Sequence, residues 1–248
     1  MDGLSKNTLD SVTRHEERTP SAPERPRDAA TLLLLDRKDG EFRVLMGRRH
    51  MRHVFMPGKF VFPGGRTDAG DGGIVAAREL NEKDEAKLLL GMGAKATRRR
   101  ARALALSAIR ETYEEAGLLL GSEARRTSSH PDWEAFSTRN ISPDLSRLRF
   151  VARAITPPGR IRRFDTRFFI AFRDAIACAL PDGTGPSGEL EELHWLALRE
   201  AANLDVPPIT LAIIREVEQL LADDPALDRN YPVVQYAMKH GRYVREVI

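Results

Sequence analysis

Three glutamates lie within five residues of the chain, in the segment Arg110–Leu119, which reads RETYEEAGLL. The flanking sequence is rich in Ala, Leu and Arg and has no Pro, which predicts a helix that ends near Gly117. At about 100° per residue, the carboxylates of Glu111, Glu114 and Glu115 fall on one helix face. Clustered carboxylate oxygens are typical ligands of hard divalent cations such as Mg²⁺ or Mn²⁺.

This crowding is unfavourable for an isolated helix. Glu111 and Glu115 form a like-charge i,i+4 pair, which costs a few tenths of a kcal/mol. They also lie in the last turns, where the helix dipole disfavours anions. Arg110 precedes Glu114 by four residues and offsets part of the repulsion. A divalent cation would remove the rest, and Mg²⁺ sites with few protein ligands usually add water and phosphate oxygens, so we expect phosphate chemistry here.

The composition excludes several other classes of protein. The chain has 248 residues, of which 42% are hydrophobic, enough for one sizeable core. A net charge of +3 does not identify a nucleic-acid-binding protein. The single cysteine, Cys178, excludes an internal disulfide and a multi-cysteine metal site, and its apolar neighbours predict a small buried residue. No apolar run is long enough to span a membrane and no signal-peptide core is present, so we expect a cytoplasmic protein.

Hydrophobic patterning predicts the elements that position the glutamates. Residues 1–27 are polar and proline-containing, which indicates a flexible tail before a domain spanning 28–248. Strands are predicted at Ala29–Leu35, Phe42–Gly47, Phe150–Thr156 and Arg163–Phe172, the first two as a hairpin. Helices are predicted at Ile74–Leu90 and Ile209–Ala222, whereas Pro232–Ile248 is ambiguous. This order favours an α+β fold with a mixed sheet, arranged as an α/β/α sandwich.

Two separated motifs resemble the two halves of the Nudix box, G-x5-E-x7-R-E-U-x-E-E-x-G-U, in which U is an aliphatic residue. The first is Phe62-Pro63-Gly64-Gly65 with Asp71 five residues beyond its last glycine, where the family has Glu. The second is Arg110-Glu111-x-x-Glu114-Glu115-x-Gly117-Leu118, with Thr112 in place of an aliphatic residue. Between Asp71 and Arg110 lie 38 residues where the family has seven, which predicts a helical insertion over about 72–103 within the box.

The resemblance implies a Nudix-type α/β/α sandwich and a metal-dependent hydrolase that directs water onto a diphosphate. By this resemblance, Glu111, Glu114, Glu115 and the Gly65 carbonyl bind Mg²⁺ or Mn²⁺. Glu111 takes a share of the general-base role, and Arg110 holds the glutamates by ion pairs. Asp71 is either a carboxylate behind the metal ligands or an outer metal ligand, or it is a residue that caps a helix.

The substrate prediction rests on the basic stretch before FPGG. Arg48, Arg49 and Phe62 are candidate substrate-binding residues, and Arg52, His53 and Lys59 are further candidates for contacting phosphates. Some long-insertion members of the family act on coenzyme A derivatives and have Arg-containing motifs in this region. This stretch is also rich in arginine but does not match those motifs residue for residue. For any single residue, a position on the basic edge of a strand is the simpler interpretation.

Coenzyme A or an acyl-CoA is therefore the first expectation, and NADH or ADP-ribose is the alternative. A Nudix-fold module that binds a nucleotide without cleaving it is the third reading. The expected partner is a small nucleotide substrate, with no nucleic acid and no membrane. A homodimer is left open.

Overall fold

The computed structural model describes residues 25–52, 57–123, 128–160 and 162–248. The predicted flexible tail lies outside these ranges up to residue 24, and Arg27 already belongs to the first strand. His53, a candidate phosphate contact, also lies outside them.

The predicted hairpin is formed by β1 (Arg27–Lys38) and β2 (Glu41–Arg49). Both faces of β1 are buried: Leu32 and Leu34 pack on one side, and Leu33 and Leu35 pack on the other. An apolar run without alternation is typical of a central strand covered on both faces. The other strands are β3 (Phe60–Val61), β4 (Gly64–Arg66), β5 (Leu118–Leu120), β6 (Ser122–Glu123), β7 (Ile141–Ser142), β8 (Arg149–Ile155), β9 (Phe164–Phe172), β10 (Ile176–Ala179), β11 (Leu190–Ala197), β12 (Val234–Lys239) and β13 (Arg242–Val247).

The main sheet has the order β11-β2-β1-β9-β8-β12-β13, with β3 paired to β2 and β4 paired to β1. The β1–β9 and β8–β12 pairs are parallel, and the remaining pairs are antiparallel. The sheet is therefore mixed, as predicted.

Helices cover both faces of this sheet. They are α1 (Glu82–Met92), α2 (Arg98–Ala116), α3 (Glu134–Thr138), α4 (Leu198–Ala201) and α5 (Pro208–Asp223). Leu88 of α1 and Leu104 of α2 pack in the core that contains Leu32. Leu198 of α4 and Ile213 of α5 pack in the core that contains Leu33. The predicted α+β class and α/β/α sandwich are confirmed.

The predicted helix Ile74–Leu90 is wrong in its first half. Asn81 caps α1 by accepting a hydrogen bond from the Asp84 amide at 2.9 Å, so the helix begins at Glu82. The preceding residues instead bond to a distant segment: the Ala77 amide donates to the Pro143 carbonyl, and the Leu145 amide donates to the Arg78 carbonyl. Tertiary pairing overrides the helical pattern there.

The structure also assigns the C-terminal segment, which was ambiguous in sequence, and places the single cysteine. Pro232–Ile248 contains the hairpin of β12 and β13, and β13 is one edge strand of the main sheet. Cys178 lies on β10, is partly buried, and packs against the α1–α2 core. Within the described ranges, no helix has the length and apolarity needed to cross a lipid bilayer.

Candidate active site

The helix α2 carries all three glutamates and has well-defined ends. The Thr97 hydroxyl accepts a hydrogen bond from the Arg100 amide at 3.1 Å and caps the start. Gly117 ends the helix in the left-handed conformation, with φ 69°, and its amide donates to the Tyr113 carbonyl. Thr112, which departs from the family pattern, is fully buried, and its hydroxyl donates to the Ala108 carbonyl at 2.7 Å. The polar substitution is therefore satisfied within the helix.

Arg110 is buried, and all its guanidinium nitrogens are engaged. Its Nε and Nη2 atoms donate to the two carboxylate oxygens of Asp71 at 3.0 and 3.2 Å. Its Nη2 also donates to the Arg66 carbonyl at 2.9 Å. Its Nη1 donates to Glu111 Oε1 and to Glu114 Oε2, both at 2.9 Å. Arg110 therefore fixes two of the three glutamates relative to the segment that follows β4.

Glu115 is held by a different element. Its Oε2 accepts a hydrogen bond from the Gly64 amide at 2.9 Å, and its side chain is buried. At the adjacent glycine, Gly65, a Cβ atom would lie 2.5 Å from the Glu111 carboxylate, so a side chain there would displace that carboxylate. The two glycines of β4 therefore allow α2 to bring carboxylates against the backbone of the sheet.

Burial raises the pKa of each glutamate. The pKa of Glu111 rises to about 7, because desolvation and the charge of Glu114 outweigh the ion pair with Arg110. Burial likewise raises the pKa of Glu114, despite Arg110, and that of Glu115 well above its ordinary value, despite the Gly64 amide. The Arg110 guanidinium alone therefore does not compensate the negative charge that Glu111, Glu114 and Glu115 carry when ionised.

A loop from a distant part of the chain closes the end of α2. The Ser187 amide donates to the Glu114 carbonyl at 2.9 Å, and the Gly185 amide donates to the Glu115 carbonyl at 3.2 Å. These contacts satisfy carbonyls that a helix end otherwise leaves unpaired. A Cβ atom at Gly185 would lie 2.2 Å from the Glu114 carbonyl oxygen, so only glycine fits at this distance.

The same loop brings a fourth carboxylate to the site. The charge of Glu189 contributes to the raised pKa of both Glu111 and Glu115. Glu189 Oε2 also accepts a hydrogen bond from Arg49 Nη2 at 3.0 Å. This residue was not predicted from the sequence, because it lies 74 positions beyond Glu115 with no spacing that relates the two.

A solved structure with the same arrangement of elements is the Nudix hydrolase from Alicyclobacillus acidocaldarius. The two sequences are 27% identical, and the structures superpose with a TM-score of 0.60. The alignment includes 78% of this chain and 91% of the Alicyclobacillus protein. The chain has the Nudix fold.

Two further Nudix structures align less closely. RenU from M. smegmatis is 19% identical, with 86% of this chain and 96% of its own chain covered, at a TM-score of 0.45. The Nudix domain of Shewanella oneidensis NrtR, solved with ADP ribose, is 12% identical, with 83% and 94% covered, at a TM-score of 0.44. No protein-family model matches the sequence. The similarity to Nudix hydrolases thus rests on the first structure and supports the family suggested by the two motifs.

The donor chemistry at this site fits a divalent cation. Three carboxylates on one helix face supply hard oxygen ligands, and burial raises the pKa of each, so their ionised forms are under-compensated where they lie and a cation would stabilise them. As the side chains are placed, no three His, Cys, Asp or Glu residues within the described ranges form a ready metal-binding group. Glu111 and Glu114 point to Arg110 instead, and Glu115 points to the Gly64 amide.

Asp71 contacts Arg110 directly. It is 3% exposed and lies at the start of a 3-10 turn, Asp71–Gly73, where it pairs with Arg110. It also accepts a hydrogen bond from the Asp68 amide at 2.9 Å. Asp71 therefore does not cap a helix; its carboxylate contacts Arg110, which in turn contacts Glu111 and Glu114.

The predicted substrate residues divide into two groups. The structure does not support Phe62 as a substrate-binding residue. It is 5% exposed and packs in the core with Leu33, because its side chain faces the side of the sheet covered by α4 and α5. Arg48 and Arg49 lie at the end of β2, and each forms an ion pair, with Glu192 at 3.2 Å and with Glu189 at 3.0 Å. The other basic candidates are also engaged, Arg52 with the His50 ring and Lys59 with Asp205.

Proposed function

We propose that the protein is a Nudix hydrolase that uses Mg²⁺ or Mn²⁺ to cleave a diphosphate linkage in a nucleoside diphosphate derivative. The observation that carries this proposal is the Arg110 guanidinium, which joins Asp71 to Glu111 and Glu114 beside the buried Glu115. A helix that gathers two half-buried carboxylates at one arginine, with a third buried beside them, is costly for stability alone, which favours a functional reason for it.

Each residue of the site has a proposed role. Glu111, Glu114 and Glu115 would hold the metal, with the Gly65 carbonyl as a further ligand. When bound, the metal neutralises phosphate charge and lowers the pKa of water. Arg110 orients Glu111 through Oε1, which leaves Oε2 to accept a proton from the attacking water. Arg110 and Asp71 are positioning residues, since their polar atoms are directed at each other and at the glutamates.

Coenzyme A or an acyl-CoA is the substrate we propose to test first. Arg48 has 41% of its side chain exposed, and its partner Glu192 has 52% exposed. Ion pairs this exposed contribute roughly 0–1 kcal/mol, so a substrate phosphate can compete for Arg48. Arg49 is less exposed and is tied to Glu189, which places it closer to the glutamates. NADH or ADP-ribose remains the alternative substrate class.

The deciding experiment is a hydrolysis panel of coenzyme A, acetyl-CoA, NADH, ADP-ribose and a dinucleoside polyphosphate, each with Mg²⁺, with Mn²⁺ and with EDTA. Glu115→Gln tests the site, because it removes a buried carboxylate charge and keeps the side-chain shape. Glu123→Gln, an exposed residue outside the site, is the matched control.

Metal-dependent cleavage of coenzyme A into 4′-phosphopantetheine and 3′,5′-ADP, lost in Glu115→Gln alone, supports the complete proposal. Cleavage of only NADH or ADP-ribose keeps the mechanism and rejects the coenzyme A substrate. No metal-dependent turnover, with nucleotide binding intact, rejects the hydrolase and favours a nucleotide-binding regulator.

A further inference from the structure

A second set of charged residues lies at the beginning of β1 and β9, on the face of the sheet covered by α1 and α2. This ion cluster consists of Asp28, Arg100, Arg153, Asp165 and Arg167. Arg100 binds Asp28 through two hydrogen bonds, of 2.6 and 2.7 Å. Arg153 binds Asp165 through two hydrogen bonds, both of 2.7 Å. Each of these bidentate pairs is neutral by itself.

Arg167 is the fifth member, and among the described residues it leaves the cluster with one surplus positive charge. Its Nη1 lies 2.8 Å from Asp165 Oδ1 and 3.2 Å from Asp28 Oδ1, and donates to the Asp165 carbonyl at 2.7 Å. Both aspartates are already paired with other arginines, so three arginines share two carboxylates. Only 2% of the Arg167 side chain is exposed, so bulk water does not screen this charge.

The strand register makes the surplus more unfavourable. Arg153 and Arg167 are directly opposite each other on the antiparallel strands β8 and β9. Like charges in this position destabilise a sheet. Burial lowers the pKa of Arg167, and although Asp165 opposes that shift, the charges of Arg153 and Arg100 add to it.

One donor of this buried guanidinium also lacks an acceptor. Among the described residues, the Nη2 atom of Arg167 is buried and has no hydrogen-bond partner. A buried donor of this kind usually binds an internal water or an ion. Water would satisfy the donor, but it would leave the surplus charge in place.

We infer that Arg167 Nη2 binds a small monovalent anion of about the size of chloride within the ion cluster. The anion accepts the hydrogen bond and neutralises the surplus charge, so it meets both requirements at once. Bound there, it would stabilise the junction of β1, β8 and β9 with the start of α2. None of the cluster residues belongs to the candidate active site.

Thermal unfolding tests this site at constant ionic strength, with sodium chloride exchanged stepwise for sodium gluconate, whose anion is much larger than chloride. The Tm is expected to rise with chloride, by roughly 3–6 °C when chloride reaches ten times its Kd. Arg167→Met removes the donor and the surplus charge, and is expected to abolish the rise. Arg147→Met, which breaks the exposed pair with Asp174, is the matched control and should keep it.

A second variant acts in the opposite direction. Asp28→Asn increases the surplus charge, so half of the Tm rise should occur at a chloride concentration about threefold lower or less. Equal Tm values of the wild type in chloride and gluconate would overturn the inference in favour of water. A rise retained by Arg167→Met would place the anion elsewhere.

If Arg167→Met does not fold, crystals of the wild type grown in sodium bromide decide. An anomalous peak within hydrogen-bond distance of Arg167 Nη2 supports the site, and a map without that peak rejects it.

Discussion

Replacing Asp71 with alanine tests whether the active-site arrangement depends on the ion pair behind the glutamates. Asp71 is 3% exposed and accepts hydrogen bonds from both Nε and Nη2 of Arg110. Removing one partner of a buried ion pair costs about 3–5 kcal/mol, because the other charge stays buried with fewer partners. At about 2–4 °C per kcal/mol for a chain of this size, the expected decrease in Tm is roughly 6–20 °C.

The activity of Asp71→Ala should fall as well, even below its new Tm. Arg110 Nη1 holds Glu111 and Glu114, so a guanidinium that is free to turn no longer fixes those carboxylates. Urea unfolding in EDTA and kcat at low temperature separate the two effects.

Asp68→Ala is the matched control, because Asp68 belongs to the same segment, is 42% exposed, and lies 3.7 Å from Arg110 Nη2. Its expected cost is below about 1 kcal/mol. Equal stability of the two variants would refute the role given to Asp71.

Three further changes probe other parts of the site. Gly185→Ala places a Cβ atom 2.2 Å from the Glu114 carbonyl oxygen, so kcat should fall. Gly73→Ala is the control and should stay near wild type, because its Cβ atom would make only an ordinary contact, 3.6 Å from Arg99 Nη2. Glu189→Gln should lower kcat through the charge near Glu111 and Glu115, whereas Glu192→Gln, which loses only an exposed pair with Arg48, should not. In the folded protein without metal, the pKa of Glu111 is raised from 4.5 to about 7, so folding is more favourable when Glu111 is protonated. The Tm measured in EDTA should therefore fall as the pH rises from about 5 to 8. A flat profile would contradict this.

Local patterns predicted the elements whose signals are local. The Ala- and Leu-rich run before Gly117 predicted α2, and the apolar run Ala29–Leu35 predicted β1. The same reasoning misplaced the start of α1, because the pairing of Ala77 with Pro143 is a contact between segments distant in sequence. Glu189 was missed for the same reason, since its place beside Glu111 depends on the loop that caps α2.

Phe62 shows a second limit of sequence reasoning. Its position next to the two glycines of the motif suggested a substrate contact, but Phe62 lies between β3 and β4, and its side chain packs in the core with Leu33. The backbone of Gly64 meets Glu115, whereas the Phe62 side chain enters the core on the other face. Proximity in sequence to a catalytic motif is therefore weak support for a role in binding.

The long separation within the motif does not separate the residues in space. The Arg102 guanidinium donates to the Gly72 carbonyl at 2.8 Å and to the Ile74 carbonyl at 2.9 Å, which joins α2 to the start of the segment that separates the two motifs. Gly72 is pressed against Arg99, where a Cβ atom would lie 2.7 Å from the carbonyl oxygen. These contacts bring Asp71 next to Arg110 across 38 intervening residues.

Closing a longer loop adds little entropic cost, since each doubling of length costs about 0.6 kcal/mol. Because the segment between the two motifs is anchored at its base in this way, we expect changes in its length or sequence to leave the carboxylates in place, provided that Gly72 and Arg102 are kept.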